Sequence, residues 1–247
     1  MKKKLITLAA TLLAPMLAHA GCEDMMQTWA NTLHADKTLD STLSVCKTWP
    51  ANPALTLAAL AFAGDDMESE NGAGDLDVLV ADSATGAIVA HVFQAGAIRR
   101  DAAGSADLAL ETARYRLAPK ERAFGVRVSY DGSSRPAPYG EVTLSLYTFD
   151  GHTLRPVLDQ LTVAQASGEW DTRCDGWYDS TKRTLSVGAP GAEGYASLYI
   201  AEQTVHSVSR MTKGVCVNKD GAPKRTHFTL EYRNGRYSVP KGLQRNG

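Results

Sequence analysis

Four stretches of this sequence bring chemically capable side chains close together. The first runs from Asp65 to Asp82 and holds Asp65, Asp66, Glu68, Glu70, Asp75, Asp77 and Asp82, with no Lys or Arg. Asp66, Glu68 and Glu70 alternate, Asn71-Gly72 turns, and Asp75 closes the set. Calcium loops use alternating oxygen ligands, a turn glycine and a closing carboxylate. The match is loose, because Gly72 stands one place late and Glu replaces the shorter Asp at two tight positions. A solvated acidic loop that keeps a sheet edge soluble accounts for the same residues, and the sequence favours it over calcium at Asp66, Glu68, Glu70 and Asp75. No other cofactor is expected.

The second stretch, Gly168 to Tyr178, packs Trp170, Trp177 and Tyr178 with Glu169, Asp171 and Asp175 around Cys174. Two indoles can stack a sugar ring, and Glu169 with Asp171 can serve as the carboxyl pair that glycoside hydrolysis needs. The plainer expectation is a disulfide-pinned loop whose aromatics cover the edge of the core. The third stretch, Arg210 to Arg245, has nine cations opposed only by Asp220 and Glu231. Such a local field steers an acidic partner, and Arg233 and Arg236 flank an Asn234-Gly235 hairpin tip. These cations can equally pair with the acidic stretch across the surface.

The fourth feature is the cysteine set: Cys22, Cys46, Cys174 and Cys216. An even count in an exported chain points to two disulfides. Of the three connectivities, Cys22–Cys46 and Cys174–Cys216 close loops without linking the two halves of the chain. No Cys-x-x-Cys spacing or neighbouring His supports zinc. Catalytic signatures are lacking: there is no G-x-S-x-G, H-E-x-x-H, P-loop or G-x-G-x-x-G. His34, His91, His152, His206 and His227 are scattered along the chain.

The elements that must position these residues are mostly strands. Glu23 to Leu33 reads as a short amphipathic helix, with Met25, Met26, Trp29 and Leu33 on one face. Strand-length apolar or alternating runs follow at Leu55–Phe62, Leu76–Ala81, Ile88–Phe93, Leu108–Leu117, Phe124–Tyr130 and Val142–Phe149. His152–Val163 continues the series, with Pro156 marking an edge or a bulge. Arg183–Val187, Ala196–Ile200, Thr204–Val208 and Thr226–Tyr232 complete it, before a last short strand at Arg236–Val239. Asp82–Gly86, Asp150-Gly151 and Asn234-Gly235 read as hairpin turns, the last two as two-residue turns. The expected fold is all-β: an antiparallel sandwich or irregular barrel of about ten to twelve strands with a short N-terminal helix. An incomplete propeller is the alternative.

Met1 to Ala20 has the form of a secretory signal: Lys2 to Lys4, an apolar run to Leu17, and Ala18-His19-Ala20 before the cleavage point. The apolar run is too short to span a bilayer. Cys22 sits near where a lipoprotein cysteine would, although His19 is unsuited to such a site. Removal of residues 1–20 takes three Lys and no acid, which leaves 23 Lys and Arg against 27 Asp and Glu. That balance argues against nucleic acid and anionic membrane as partners.

Leu76 to Asp82, Thr112 to Tyr115, Leu154 to Leu158 and Gly168 to Asp171 resemble stretches of uncharacterised exported proteins of Gram-negative bacteria. The resemblance implies export and a β-rich fold. The combined expectation is a periplasmic, non-enzymatic binding protein of one domain over residues 21–247. It would act on a protein partner through loops and charged faces, with an inhibitor or immunity-type protein as the expected sub-class. A carbohydrate-acting hydrolase at Glu169-Trp170-Asp171 and a calcium-stabilised envelope protein are the alternatives. Candidate binding residues are Arg233, Arg236, Trp170 and Trp177.

Overall fold

The structure, a computed structural model, describes residues 21–63, 73–99, 104–191 and 193–244. The leader Met1–Ala20, the acidic residues Asp65, Asp66, Glu68 and Glu70, and Arg245 lie outside the described residues.

Helix α1 (Glu23–Leu33) forms where the spacing predicts it. Glu23 and Asp24 stand in its first turn, where carboxylates complement the helix dipole. Met26, Trp29 and Ala30 are its buried residues, at i, i+3 and i+4. They pack on Ala58, Leu60, Phe62, Leu79 and Ala81 of the small sheet. Two of those five are alanines, which leaves room for the Trp29 indole. Trp29 Nε1 donates to the Gly86 carbonyl at 2.7 Å, which fixes the helix over a hairpin turn. The Cys22–Cys46 disulfide ties the start of α1 to strand β1 (Val45–Thr48).

The small sheet has the order β1-β2-β3-β4, with β2 at Leu55–Phe62, β3 at Ala73–Asp82 and β4 at Ile88–Arg99. Strands β2 and β3 are buried on both faces. That explains their near-continuous apolar sequences, since α1 covers one face and the second sheet covers the other. Leu57, Ala59, Val78 and Val80 meet Leu108, Phe124, Val126 and Tyr147 of the second sheet in a shared core.

The second sheet is a curled ten-stranded sheet. Its main path runs through β5 (Gly104–Ala118), β6 (Glu121–Gly132), β7 (Tyr139–Phe149), β8 (Leu154–Trp170), β9 (Gly176–Pro190), β10 (Ala196–Thr212) and β11 (Val215–Asp220). Strand β12 (Lys224–Leu230) also pairs with β10, and β14 (Arg236–Tyr237) pairs with β13 (Tyr232–Arg233) and with β8. The curl encloses a second core of Leu117, Leu144, Leu158, Leu161, Leu198, Ile200 and Tyr237 among others. The all-β fold with a short N-terminal helix is therefore the one the sequence predicts. The sheets are not the repeated radial blades of a propeller.

Pro156 lies where the β7–β8 register slips, with Leu146 facing Leu158 and Tyr147 facing Pro156. Of the two options for Pro156, a bulge is what forms. Three local expectations change. Asp150-Gly151 is not a two-residue turn: residues 150–153 form the loop, and the Asp150 carboxylate accepts the N–H groups of His152 and Thr153. A type I′ turn needs positive φ at both central residues, and of this pair only Gly151 has it. Ala196–Ile200 and Thr204–Val208 are one continuous strand, because β12 and β11 pair with successive halves of it. Thr226–Tyr232 is interrupted after Leu230, and β13 begins at Tyr232.

Candidate functional site

The Trp170–Trp177 segment is a hairpin rather than a free loop. Strand β8 runs to Trp170 and β9 starts at Gly176. The Asp171 carboxylate builds the turn by accepting the N–H groups of Arg173, Cys174 and Asp175 at 2.8–2.9 Å. Those donors, that of Cys174 foremost, hold its carboxyl below the usual carboxylate range. Glu169 pairs with Trp177 and Trp170 with Gly176. Opposed residues share a face and successive residues alternate, so Trp177 lies with Glu169 and Trp170 lies on the other face. The two indoles do not form the walls of one slot, and the Asp171 carboxyl is engaged by its own turn. Trp177 instead stacks on His206, whose Nδ1 meets the Asp179 carboxylate at 2.6 Å.

This hairpin braces a ribbon. Cys174 in the turn is bonded to Cys216 of β11, and Asp175 accepts the N–H of Met211 at 2.7 Å. Strands β10 and β11 join through Lys213-Gly214, both at positive φ, as a two-residue hairpin turn requires. Every residue of β11 is exposed. Five large hydrophobic side chains are exposed among the described residues: Val89, Tyr199, Met211, Val215 and Val217. Three of the five stand on this one hairpin. The register sets Val215 opposite Thr212, Cys216 opposite Met211 and Val217 opposite Arg210. Val215 and Val217 therefore share one face with Arg210, and Met211 lies on the other. Arg210, Lys213, Lys219, Lys224 and Arg225 face the single acid Asp220 within residues 210–225. None of the five cations forms an ion pair among the described residues.

Arg233 and Arg236 do flank a hairpin tip, with Asn234 and Gly235 at φ 53° and 84°. That tip follows β12, which pairs with the opposite end of β10. Strand β10 has 17 residues, or roughly 50 Å at the usual rise per residue. The basic C-terminal region, continuous in sequence, is thus divided between two ends of one strand.

A second constellation is visible only in three dimensions. Asp77 of β3 is fully buried, yet its Oδ2 accepts from His34 Nε2 at 2.6 Å and His91 Nδ1 at 3.0 Å. His34 follows the end of α1 and its ring packs between Phe62 and Phe93. His91 comes from β4, because Leu79 pairs with His91 and sets it diagonal to Asp77. Beside them Asp75 binds Lys37 Nζ at 2.9 Å and accepts the Gly96 N–H at 2.8 Å. Burial pushes the Asp75 carboxyl up, but the Gly96 N–H and the Lys37 ammonium outweigh it and hold it below its ordinary value. A carboxylate on an imidazole Nδ1, with Nε2 left towards solvent, is the orienting half of a general-base arrangement. Among the described residues no Ser, Thr or Cys side chain hydrogen-bonds either imidazole. The cluster therefore fastens the end of α1 to the sheet. The signal for it in the sequence was Asp77 itself, a charge inside the otherwise apolar run Leu76–Ala81, which needs a partner once buried.

Of the calcium ligand set, Asp75 is thus already engaged and Asp66, Glu68 and Glu70 are not described. An open cavity of about 330 Å3 over β6–β9 has Gly140, Ala164 and Ala166 among its lining residues. Its buried carboxylate, Glu141, is spent on Tyr139 and Thr162. Both disulfides are those the sequence favours, and no helix among the described residues is long and apolar enough to cross a membrane. Comparison of the chain with protein-family models, with curated proteins and with solved structures gives no match.

Proposed function

We propose that this chain is an exported, periplasmic protein-binding module whose contact face is the tip of the β10–β11 ribbon. Its partner would carry an acidic surface, and inhibition of a secreted enzyme is the kind of task such a ribbon suits. The carrying observation is the concentration of Met211, Val215 and Val217, exposed, beside Arg210, Lys213 and Lys219 of the same hairpin, which form no ion pair among the described residues. Exposed apolar side chains rimmed by polar residues mark interaction sites, and unpaired cations supply steering. The signal-like leader and the two disulfides support export. Glycan hydrolysis draws less support, because Trp170 and Trp177 face apart and the Asp171 carboxyl is engaged by its turn.

The test is capture of envelope proteins on the immobilised, disulfide-bonded chain. We expect saturable retention of a partner at low salt, weakening steeply at high salt. The double variant Val215→Ser/Val217→Ser and the charge reversal Lys219→Glu should each weaken retention about tenfold or more, an order of magnitude typical of interface anchors. Equal retention by wild type and both variants would refute the reading.

A further inference from the structure

We infer that the ribbon takes its partner by β-strand addition: an acidic, extended segment lies along the open edge of β11. This rests on the binding reading above and specifies its mode. The backbone geometry comes first. The Gly221 N–H donates to the His206 carbonyl directly opposite it. In an antiparallel ladder, directly hydrogen-bonded pairs alternate with pairs that are not. Hence Lys219, Val217 and Val215 turn their N–H and C=O groups towards β10. Cys216, Asn218 and Asp220 turn theirs outward. No strand pairs with that outer edge among the described residues. Three consecutive outward positions are enough to seat a segment of about six residues, since every second residue of the added strand faces the edge.

The side chains argue for the same mode. Met211 is exposed on one face of the ribbon, and Val215 and Val217 on the other. A partner docking flat on either face would leave the opposite apolar group in water. A strand alongside the edge places successive side chains on both faces, next to Val215 and Val217 on one face and next to Cys216, which lies beside Met211, on the other.

Charge selects the occupant. Edge strands are commonly protected from self-pairing by lysines, and Lys219 sits on this one, with Lys213, Lys224 and Arg225 close by in the chain. A second copy of the ribbon would bring two cationic edges together. An acidic segment would meet the same lysines and arginines as counter-charges. The Cys174–Cys216 bond and the Asp175–Met211 hydrogen bond hold the ribbon tip in place, which lowers the ordering cost of adding a strand.

The test uses the full, disulfide-bonded chain and a capped octapeptide alternating Glu and Val, with a Lys–Val octapeptide as control. Amide hydrogen exchange is followed residue by residue, and affinity by peptide fluorescence anisotropy. We expect the Glu–Val peptide to slow exchange at Cys216, Asn218 and Asp220 at least tenfold, with little change at Val215, Val217 and Lys219. The Lys–Val peptide should not bind. Asn218→Pro removes one outward N–H without touching the β10 backbone ladder, and Asn218→Ala controls for loss of the Asn218 side-chain oxygen that accepts from Ser209 Oγ. The Pro variant should bind tenfold or more weaker than the Ala variant. Binding of the Glu–Val peptide without protection at the three outward amides would overturn strand addition and leave face binding standing. No binding, or preference for the Lys–Val peptide, would overturn the acidic occupant. Protection that rises with protein concentration without peptide would assign the edge to a second copy and overturn the inference. Peptide binding that is intact while Val215→Ser/Val217→Ser leaves envelope capture unchanged would sink the functional reading alone.

Discussion

Asp77 gives the sharpest test of how the helix is fastened to the sheet. Its side chain is 0% exposed, and its two partners differ: His34 is 15% exposed and His91 is 41% exposed. Hydrogen bonds to a charged group contribute about 1.5–3 kcal/mol each, and a buried donor left unpaired costs about 1–3 kcal/mol. If Asp77 becomes Ala, His91 can turn to water and recover most of its loss. His34, packed between Phe62 and Phe93, cannot. The expected destabilisation of Asp77→Ala is therefore about 2–4 kcal/mol, carried mainly by His34. Asp77→Asn keeps one acceptor oxygen and should cost about 1–2 kcal/mol. Urea unfolding at pH 7 with both disulfides intact, read by Trp fluorescence, measures both. A double-mutant cycle should find Asp77 coupled to His34 by about 1.5 kcal/mol or more, and to His91 by less than about 1 kcal/mol. A loss below about 0.5 kcal/mol for Asp77→Ala, the range of an ordinary surface substitution, would refute the argument.

Other consequences are equally open to measurement. Replacing Cys174 and Cys216 by Ser opens a loop closed over 42 residues. The chain-entropy model sets the loss at about 4 kcal/mol, and amide exchange across residues 211–220 should quicken; an unchanged Tm would contradict this. Asp75 has a folded-state pKa held below its unfolded value, so its contribution is fully present above the ordinary Asp pKa and is lost as pH falls through the folded value. The stability difference between wild type and Asp75→Asn should be flat above about pH 5 and shrink below about pH 4, and a difference that grows on acidification would reverse the assignment. A Cβ at Gly176 would clash with the Glu169 carbonyl oxygen. Gly176→Ala should therefore destabilise the hairpin by about 1–3 kcal/mol, seen as a lowered Tm, whereas a neutral result would mean the strand pair opens at little cost.

Much of this was legible before any coordinates. The helix at Glu23–Leu33 could be read because its apolar residues recur at helical spacing and its partner face is a sheet. Strand β2 was legible to the residue, since a buried run of Leu, Ala and Phe bounded by Pro53 has few alternatives. The disulfides could be chosen because the preferred pairing joins near neighbours. Asn234-Gly235 forms its turn because those residue types tolerate positive φ. Asp150-Gly151 did not form its two-residue turn, because the Asp150 carboxylate found backbone donors that favour a longer loop.

The candidate sites divide differently. Residue type alone marked the Trp hairpin, the basic region and the acidic stretch as unusual. Sequence could not show that Trp170 and Trp177 face apart, because a side chain's face depends on strand register. It could not show that β10 is one long strand which separates Arg233 and Arg236 from the ribbon tip. His34, Asp77 and His91 converge only because α1 lies on β2 and β3 while β4 pairs with β3, and such contacts between distant positions leave no periodic trace. Local properties, such as spacing, turn chemistry and cysteine count, were set by neighbours in the chain and could be read there. Register, strand pairing and the open edge of β11 arise from contacts between residues far apart in sequence, so only the tertiary structure decided them.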